Sequence, residues 1–370
     1  MSSTWRRLLL LAGTVLCGWV AFREIGSAPA TAPAKTTPTV AAAPPLPRSH
    51  PRLAGEWHAL IAACEADPDP DVLKLRLAAI KDRWLEEDPQ VLAGVIGQLL
   101  REGADASTGI PFETGPGGAL RGWPTLRVFL LDVLAVTDPD LAGAIAREVL
   151  ATTTSAEEFA VALKPLLLGG PWQAPDAELA GHFTKLLENP AWQDKVGLAE
   201  ALDLSRVTAT PATTAVVARW VDRSPRALEA GEMALHETAA AEPSLIVGLV
   251  SEDPQLFQDQ PELRAGLLAR AAVSDPEQSA VLETYLKDPA VSIGEKQQFL
   301  GLFPLRSAST GYRLYGSPPS PYSADAVRAD DRAALEITGR WQADPALSAL
   351  HADLAALQTR LAAWVKPSDD

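Results

Sequence analysis

Five histidines, two cysteines and a few carboxylate pairs are the residues of this 370-residue chain that could ligate a metal or move a proton. The histidines are His50, His58, His182, His236 and His351. None forms the H-x-x-x-H pattern that sets two imidazoles on one helix face. Cys17 and Cys64 lie in different segments, so neither a zinc spacing nor a disulfide framework is available. Cys64 reads as a small buried apolar side chain. No G-x-S-x-G or G-x-x-x-x-G-K-[ST] occurs, and Gly115-Pro116-Gly117-Gly118 lacks the Lys-Ser/Thr that a phosphate cradle needs. The acidic runs Glu157-Glu158, Asp330-Asp331 and Glu86-Glu87-Asp88 read as helix caps and solvated faces. A glycosidase pair is defined by carboxylate separation in space, which spacing along the chain does not supply. The sequence therefore predicts no catalytic residue, no metal site and no cofactor.

Two irregular stretches are better candidates for contact with another molecule. Residues 103–124 carry Phe112, six glycines and Trp123, and a loop of that length is unusual among helices. Residues 304–323 hold Tyr312, Tyr315 and Tyr322 around Pro318-Pro319-Ser320-Pro321. An aromatic ring with a polar tip, beside rigid proline, suits a contact surface. Phe112, Trp123, Tyr312, Tyr315 and Tyr322 are thus the expected partner-binding residues.

The elements that must position them are helices. Asp-Pro occurs eight times, and Asn189-Pro190, Ser224-Pro225 and Thr210-Pro211 have the same form. The first residue can accept a hydrogen bond from an orphan backbone N–H, and proline one position later lacks only an N–H that would be unpaired anyway. Apolar residues at steps of three and four follow most of these pairs. Leu92, Val95, Ile96, Leu99 and Leu100 follow Asp88-Pro89, and Leu141, Ile145 and Val149 follow Asp138-Pro139. Ser155 and Glu158 form a capping box. No segment beyond residue 50 keeps a strand-like alternation. The expected fold is all-α: an irregular α-solenoid of short antiparallel helices following an N-terminal transmembrane or signal segment.

The caps at Asp88, Asp138 and Asn189 recur at close to two short helices plus turns. Over residues 51–303 the capping and periodicity resemble the HEAT/armadillo class of helical repeats. That resemblance implies a curved stack that binds a partner, usually a protein. Near the C-terminus, Leu347, Leu350, Leu354, Leu357, Leu361 and Trp364 form a stripe that suits a capping helix packed on the stack.

Arg6-Arg7 precedes an uncharged run from Leu8 to Phe22, closed by Arg23. At ~1.5 Å per residue this run falls short of the ~30 Å hydrocarbon core unless Arg7 and Arg23 snorkel. It reads as an uncleaved anchor, or alternatively as an export signal removed from a secreted or periplasmic protein. The charge bias puts the N-terminus in the cytoplasm and the body outside. Ala, Pro and Thr supply 17 of the 24 residues from 27 to 50, the composition of an extended spacer. The expected division is 1–26 anchor or signal, 27–50 disordered linker, 51–303 helical-repeat body, 304–323 Pro/Tyr loop and 324–370 C-terminal helical cap.

The net charge is −15, and the first 50 residues are basic, so the body is more acidic still. Such a surface repels phosphate backbones, which excludes nucleic acid as a partner. These features together predict a membrane-tethered, extracytoplasmic, non-catalytic scaffold for a protein partner. The alternative, prompted by ten tryptophans, is a closed helical toroid that binds or processes a glycan.

Overall fold

A computed structural model describes residues 50–66, 69–115, 119–167, 174–223, 229–306 and 323–365. Within them lie sixteen α-helices and a two-stranded hairpin. The first half runs α1 (Pro51–Glu65), α2 (Pro70–Trp84), α3 (Pro89–Glu102), β1 (Glu113–Thr114), β2 (Leu120–Gly122), α4 (Leu126–Thr137), α5 (Pro139–Thr152), α6 (Ala156–Leu167) and α7 (Asp176–Leu187). The second half runs α8 (Val196–Thr208), α9 (Pro211–Arg223), α10 (Glu229–Ala241), α11 (Pro243–Glu252), α12 (Pro261–Leu268), α13 (Pro276–Lys287), α14 (Ile293–Leu302), α15 (Ala324–Ala343) and α16 (His351–Val365).

The caps form as their chemistry requires, though not always on helices. Asp69, Asp88, Asp138 and Asp275 each accept a hydrogen bond from the first turn of the helix that follows. After Asn189 and Asp344 the same bond closes 3-10 turns, over Pro190–Trp192 and Pro345–Leu350. After Asp253 and Asp288 it closes plain turns. An Asp side chain satisfies a nearby N–H equally well in either geometry. Whether a helix grows beyond it depends on an apolar stripe with something to pack against. Asp67-Pro68 and Ser224-Pro225 lie outside the described residues. Ser155 accepts from the Glu158 N–H at 3.1 Å, but the Glu158 carboxylate turns instead to Arg127 and Thr153.

Many of the helices pack on the next helix but one as well as on their neighbours in sequence. In the first row α3 packs on α5, and α7, α9, α11 and α13 stack in order; in the second row α4, α6, α8, α10, α12, α14 and α16 stack in order. Arg147 of α5 joins Glu178 of α7 at 2.7 Å, which carries the first row through. The second row reaches back to α2, whose Trp84 ring lies 5.8 Å from that of Phe129 on α4. Two rows of this kind are a generic helical-repeat arrangement. The spacing of Asp88, Asp138 and Asn189 does not mark its repeat: the first two open first-row helices, whereas the third opens a turn before α8 of the second row. Leu347, Leu350, Leu354, Leu357 and Leu361 are buried within this same stack.

Two expectations need correction. No helix of the described residues is long and apolar enough to cross a membrane. The anchored fold, the membrane partner and the membrane-anchored location all depended on residues 1–26, which lie outside the described residues together with 27–49. The tether has no support and is set aside. The other correction is local: a hairpin interrupts the helices, with Glu113 opposite Gly122 and Thr114 opposite Leu120. Strands of two and three residues are too short to show any alternation in sequence.

Candidate functional site

The hairpin is fastened at its base. The Thr108 N–H donates to the Pro124 carbonyl at 3.0 Å, and the Thr108 hydroxyl donates to the Trp123 carbonyl. The Leu126 N–H donates to the Ala106 carbonyl at 3.0 Å, so the loop and α4 start from one knot. Gly122 is required there, since a Cβ would stand 2.1 Å from the Pro111 carbonyl oxygen. Farther out, Lys74 of α2 pairs with Glu113.

Beneath the hairpin the second row carries charge inside an apolar core. Asp132 of α4 is 4% exposed. Its Oδ2 accepts from Lys81 Nζ of α2 at 2.6 Å and from Trp123 Nε1 at 2.9 Å. The ammonium of Lys81 also sits 5.6 Å from the Trp123 ring centre, a cation–π contact. Burial pushes the Lys164 ammonium of α6 below its usual range; Asp132 resists that and Lys81 adds to it, so all three share one field. Farther along the row, α10 supplies His236 and Glu237, and the turn after α12 supplies Arg270, whose Nε donates to His236 Nδ1 at 3.4 Å. Burial, with Arg270 beside it, lowers His236 to about 4, so its imidazole is neutral at pH 7.

Between these groups stands α8. Seven consecutive residues, Glu200 to Arg206, are all buried. Seven residues cover every direction around a helix, so this segment is enclosed on all sides. Yet it includes Glu200, Asp203, Ser205 and Arg206. Arg206 lies 3.4 Å from Asp203. Glu200 is 2% exposed, and its Oε2 is buried with no hydrogen-bond partner among the described residues. Burial, and after it the Asp203 charge, raise the Glu200 carboxyl to about 7, against the Thr114 hydroxyl of β1, which is close enough to favour the ionised form. Every second-row helix from α2 to α10 thus contributes an ionisable group that is buried or half-buried, a seam of mixed sign. Buried ionisable groups with displaced pKa values mark candidate sites.

The expected contact residues fall unevenly. Phe112 and Trp123 belong to the core, at 9% and 2% exposed, and Trp123 pins the hairpin to Asp132. Tyr312, Tyr315 and Tyr322 lie outside the described residues. The glycan-binding toroid is corrected too: Trp57, Trp84, Trp123, Trp192 and Trp341 are buried and offer no face to a sugar. The extensive packing of α16 is with α14, α15 and the 3-10 turn before it, which closes no ring. Among the described residues no three His, Cys, Asp or Glu side chains group as a metal site. A separate cleft of about 300 Å³ lies between α9 and α11, with Ala218 and Leu249 in its walls and Arg219 and Asp253 at its rim. It holds none of the seam's buried charge.

The seam residues escape motif searches, but they leave a trace in sequence. Asp132 interrupts the apolar run Phe129-Leu130-Leu131-Asp132-Val133-Leu134, and Lys164 follows Ala160-Val161-Ala162-Leu163. A charge at a position the periodicity assigns to the core is the readable signal. Comparison with family models, with curated proteins and with solved structures returned no match.

Asp132 is the group that holds seam and hairpin together, so Asp132→Ala leaves Lys81 and Trp123 Nε1 without their acceptor. The expected loss is about 2 kcal/mol, and about half that for Asp132→Asn, which keeps an acceptor oxygen but not the charge. Urea unfolding of the two variants beside the wild type checks the ranking.

Proposed function

We propose that this chain is a helical-repeat binding body whose working surface is the ionisable seam of the second row, with the hairpin as its cover. The observation that carries this reading is the enclosure of Glu200, Asp203 and Arg206 on all sides of α8, in the middle of the stack. Burying charge costs stability unless the charge is paired, and replacing it by apolar packing is often neutral or better. A stack needs no such residues to fold. Their presence beneath the hairpin, the one sheet of the described residues, fits selection for recognition. Since Lys81, Asp132, Lys164 and Glu200 alternate in sign along the row, the fitting ligand is polar and carries charges of both signs.

The test is a ligand footprint. The full chain is screened by thermal shift against zwitterionic, polycationic, polyanionic and apolar compounds, and hydrogen exchange then maps whatever binds. Mixed-charge compounds are expected to protect residues 78–84, 129–135 and 161–166, and Lys164→Met to weaken binding about tenfold or more. A footprint confined to the cleft between α9 and α11, or binding indifferent to Lys164→Met, refutes the assignment.

A further inference from the structure

Glu200 is an unusual residue to find sealed inside a helical row. Its own helix places Asp203 one turn on, a second carboxylate on the same face. Its Oε2 has no donor among the described residues. On the helices packed against α8, the buried or half-buried ionisable groups are Glu157, Glu158 and Lys164 of α6, Glu232, His236 and Glu237 of α10, and Asp222 of α9. Glu158 accepts from Arg127 and Thr153, Glu157 accepts from the Ser155 hydroxyl, and Glu232 is raised by burial and then by Glu229. Lys164 is held in the field of Asp132 and Lys81. His236 is neutral beside Arg270. Glu237 acts on Arg270, and Asp222 accepts the Phe257 N–H at 2.6 Å. On the hairpin, Glu113 is engaged by Lys74. What acts on the Glu200 carboxyl itself is burial, then Asp203, then the Thr114 hydroxyl.

We infer that Glu200 makes the hairpin a proton-controlled cover: protonated, it leaves α8 sealed beneath β1, and ionised beside Asp203 it favours a state in which the hairpin lifts and water reaches the carboxylate. This rests on the seam being the working surface and adds its regulation. The hairpin is the element that gives way because its strands are two and three residues long, whereas α6 and α10 are helices of 12 and 13 residues packed along α8. The Thr114 hydroxyl opposes release, since it favours the ionised form. Solvent outcompetes it by serving both carboxylate oxygens, including the one that now has no donor.

The sign follows from linkage. The folded carboxyl titrates at about 7 against an ordinary 4.5, so the closed form binds the proton more tightly. The stability this gives the closed form is fully present below pH 4.5 and is lost as the pH rises through about 7. If opening restores an ordinary carboxyl, the opening equilibrium grows on the order of tenfold to a hundredfold between about pH 5.5 and about pH 8.

Amide hydrogen exchange of the full chain, corrected for the intrinsic pH dependence of exchange, reads this directly. In the wild type, protection over residues 106–125 is expected to fall by that factor across the interval, while α14 stays constant. Glu200→Gln should abolish the fall. Thr114→Val, a change at a half-exposed position, should move the midpoint to higher pH, and it covers the case in which Glu200→Gln does not fold. A wild-type hairpin with pH-independent protection, a fall that persists in Glu200→Gln, or a midpoint unmoved or lowered by Thr114→Val overturns the inference. The ligand footprint, read at one fixed pH, stands or falls separately.

Discussion

Arg264→Ala is expected to remove about 3–5 kcal/mol of stability, the usual result of stripping one partner from a buried ion pair. Arg264 of α12 and Glu295 of α14 meet through two hydrogen bonds, Nε to Oε1 at 2.7 Å and Nη2 to Oε2 at 2.9 Å. Their side chains are 4% and 3% exposed. The Tyr285 hydroxyl of α13 donates to the same Oε1 at 2.9 Å, and Arg264 Nη1 donates to the Pro254 carbonyl at 3.1 Å. Burial and the Glu295 charge push the Tyr285 phenol well above its ordinary range, so it stays a donor at any working pH. One arginine therefore ties together three helices and the turn after α11. With it gone, Glu295 is a buried carboxylate whose remaining side-chain donor is a phenol. A loss of that size is a large part of the 5–15 kcal/mol that ordinary domains possess. Arg264→Lys should recover only part of it, because an ammonium cannot reproduce the paired contact. Urea unfolding of the three proteins checks this. A loss below about 1 kcal/mol for Arg264→Ala means the pair is solvated in solution.

Gly197→Val is the second large effect, and its cause is steric. A Cβ at residue 197 would stand 2.3 Å from the Ala156 carbonyl carbon and 2.4 Å from the Glu157 nitrogen. Both are backbone atoms in the first turn of α6, so no side chain can turn aside to make room. Relief requires α6 and α8 to separate just where their packing is extensive. The expected cost is about 3 kcal/mol or more, the upper end for overpacked positions. Gly197→Ala should already cause much of it. Gly248 provides the control: nothing lies within 4 Å of a Cβ there, and it sits inside α11. Gly248→Ala should stabilise by about 0.5–1 kcal/mol, since glycine is a poor helix former. Thermal unfolding of all three variants gives the comparison. If Gly197→Ala behaves like Gly248→Ala, the two helices do not approach as closely as described.

Much of the helical content was legible because capping and periodicity are local properties. Asp88-Pro89 followed by Leu92, Val95, Ile96 and Leu99 specifies a helix with one apolar face, and α3 is that helix. Row membership is a different matter. Asn189-Pro190 carries the same capping chemistry as Asp138-Pro139, yet one opens a 3-10 turn and the other a helix. The difference lies in what each segment meets in space. The site was less legible for the same reason. Trp123 stood out as a loop aromatic, but its ring is buried against Phe129, with centres 5.4 Å apart. Glu200 belongs to no motif, and no single sequence position reveals that Thr114, far earlier in the chain, comes near it. Long-range juxtaposition was the missing information.

The two-row stacking also bears on how the molecule would respond to force. Most helices in this array touch partners one or two elements away along the chain. Tension applied at the ends therefore meets no long-range clamp spanning the whole body, and the load falls on the outermost pair first. When α16 comes away from α14 and α15, the next helices become the new end and face the same load. The array would extend stepwise, each step releasing the length of one or two short helices. The bridge from Arg264 to Glu295 joins α12 to α14 near that end and should be the first strong stop. Such a chain can lengthen and recover in increments, as a ratcheted spring does.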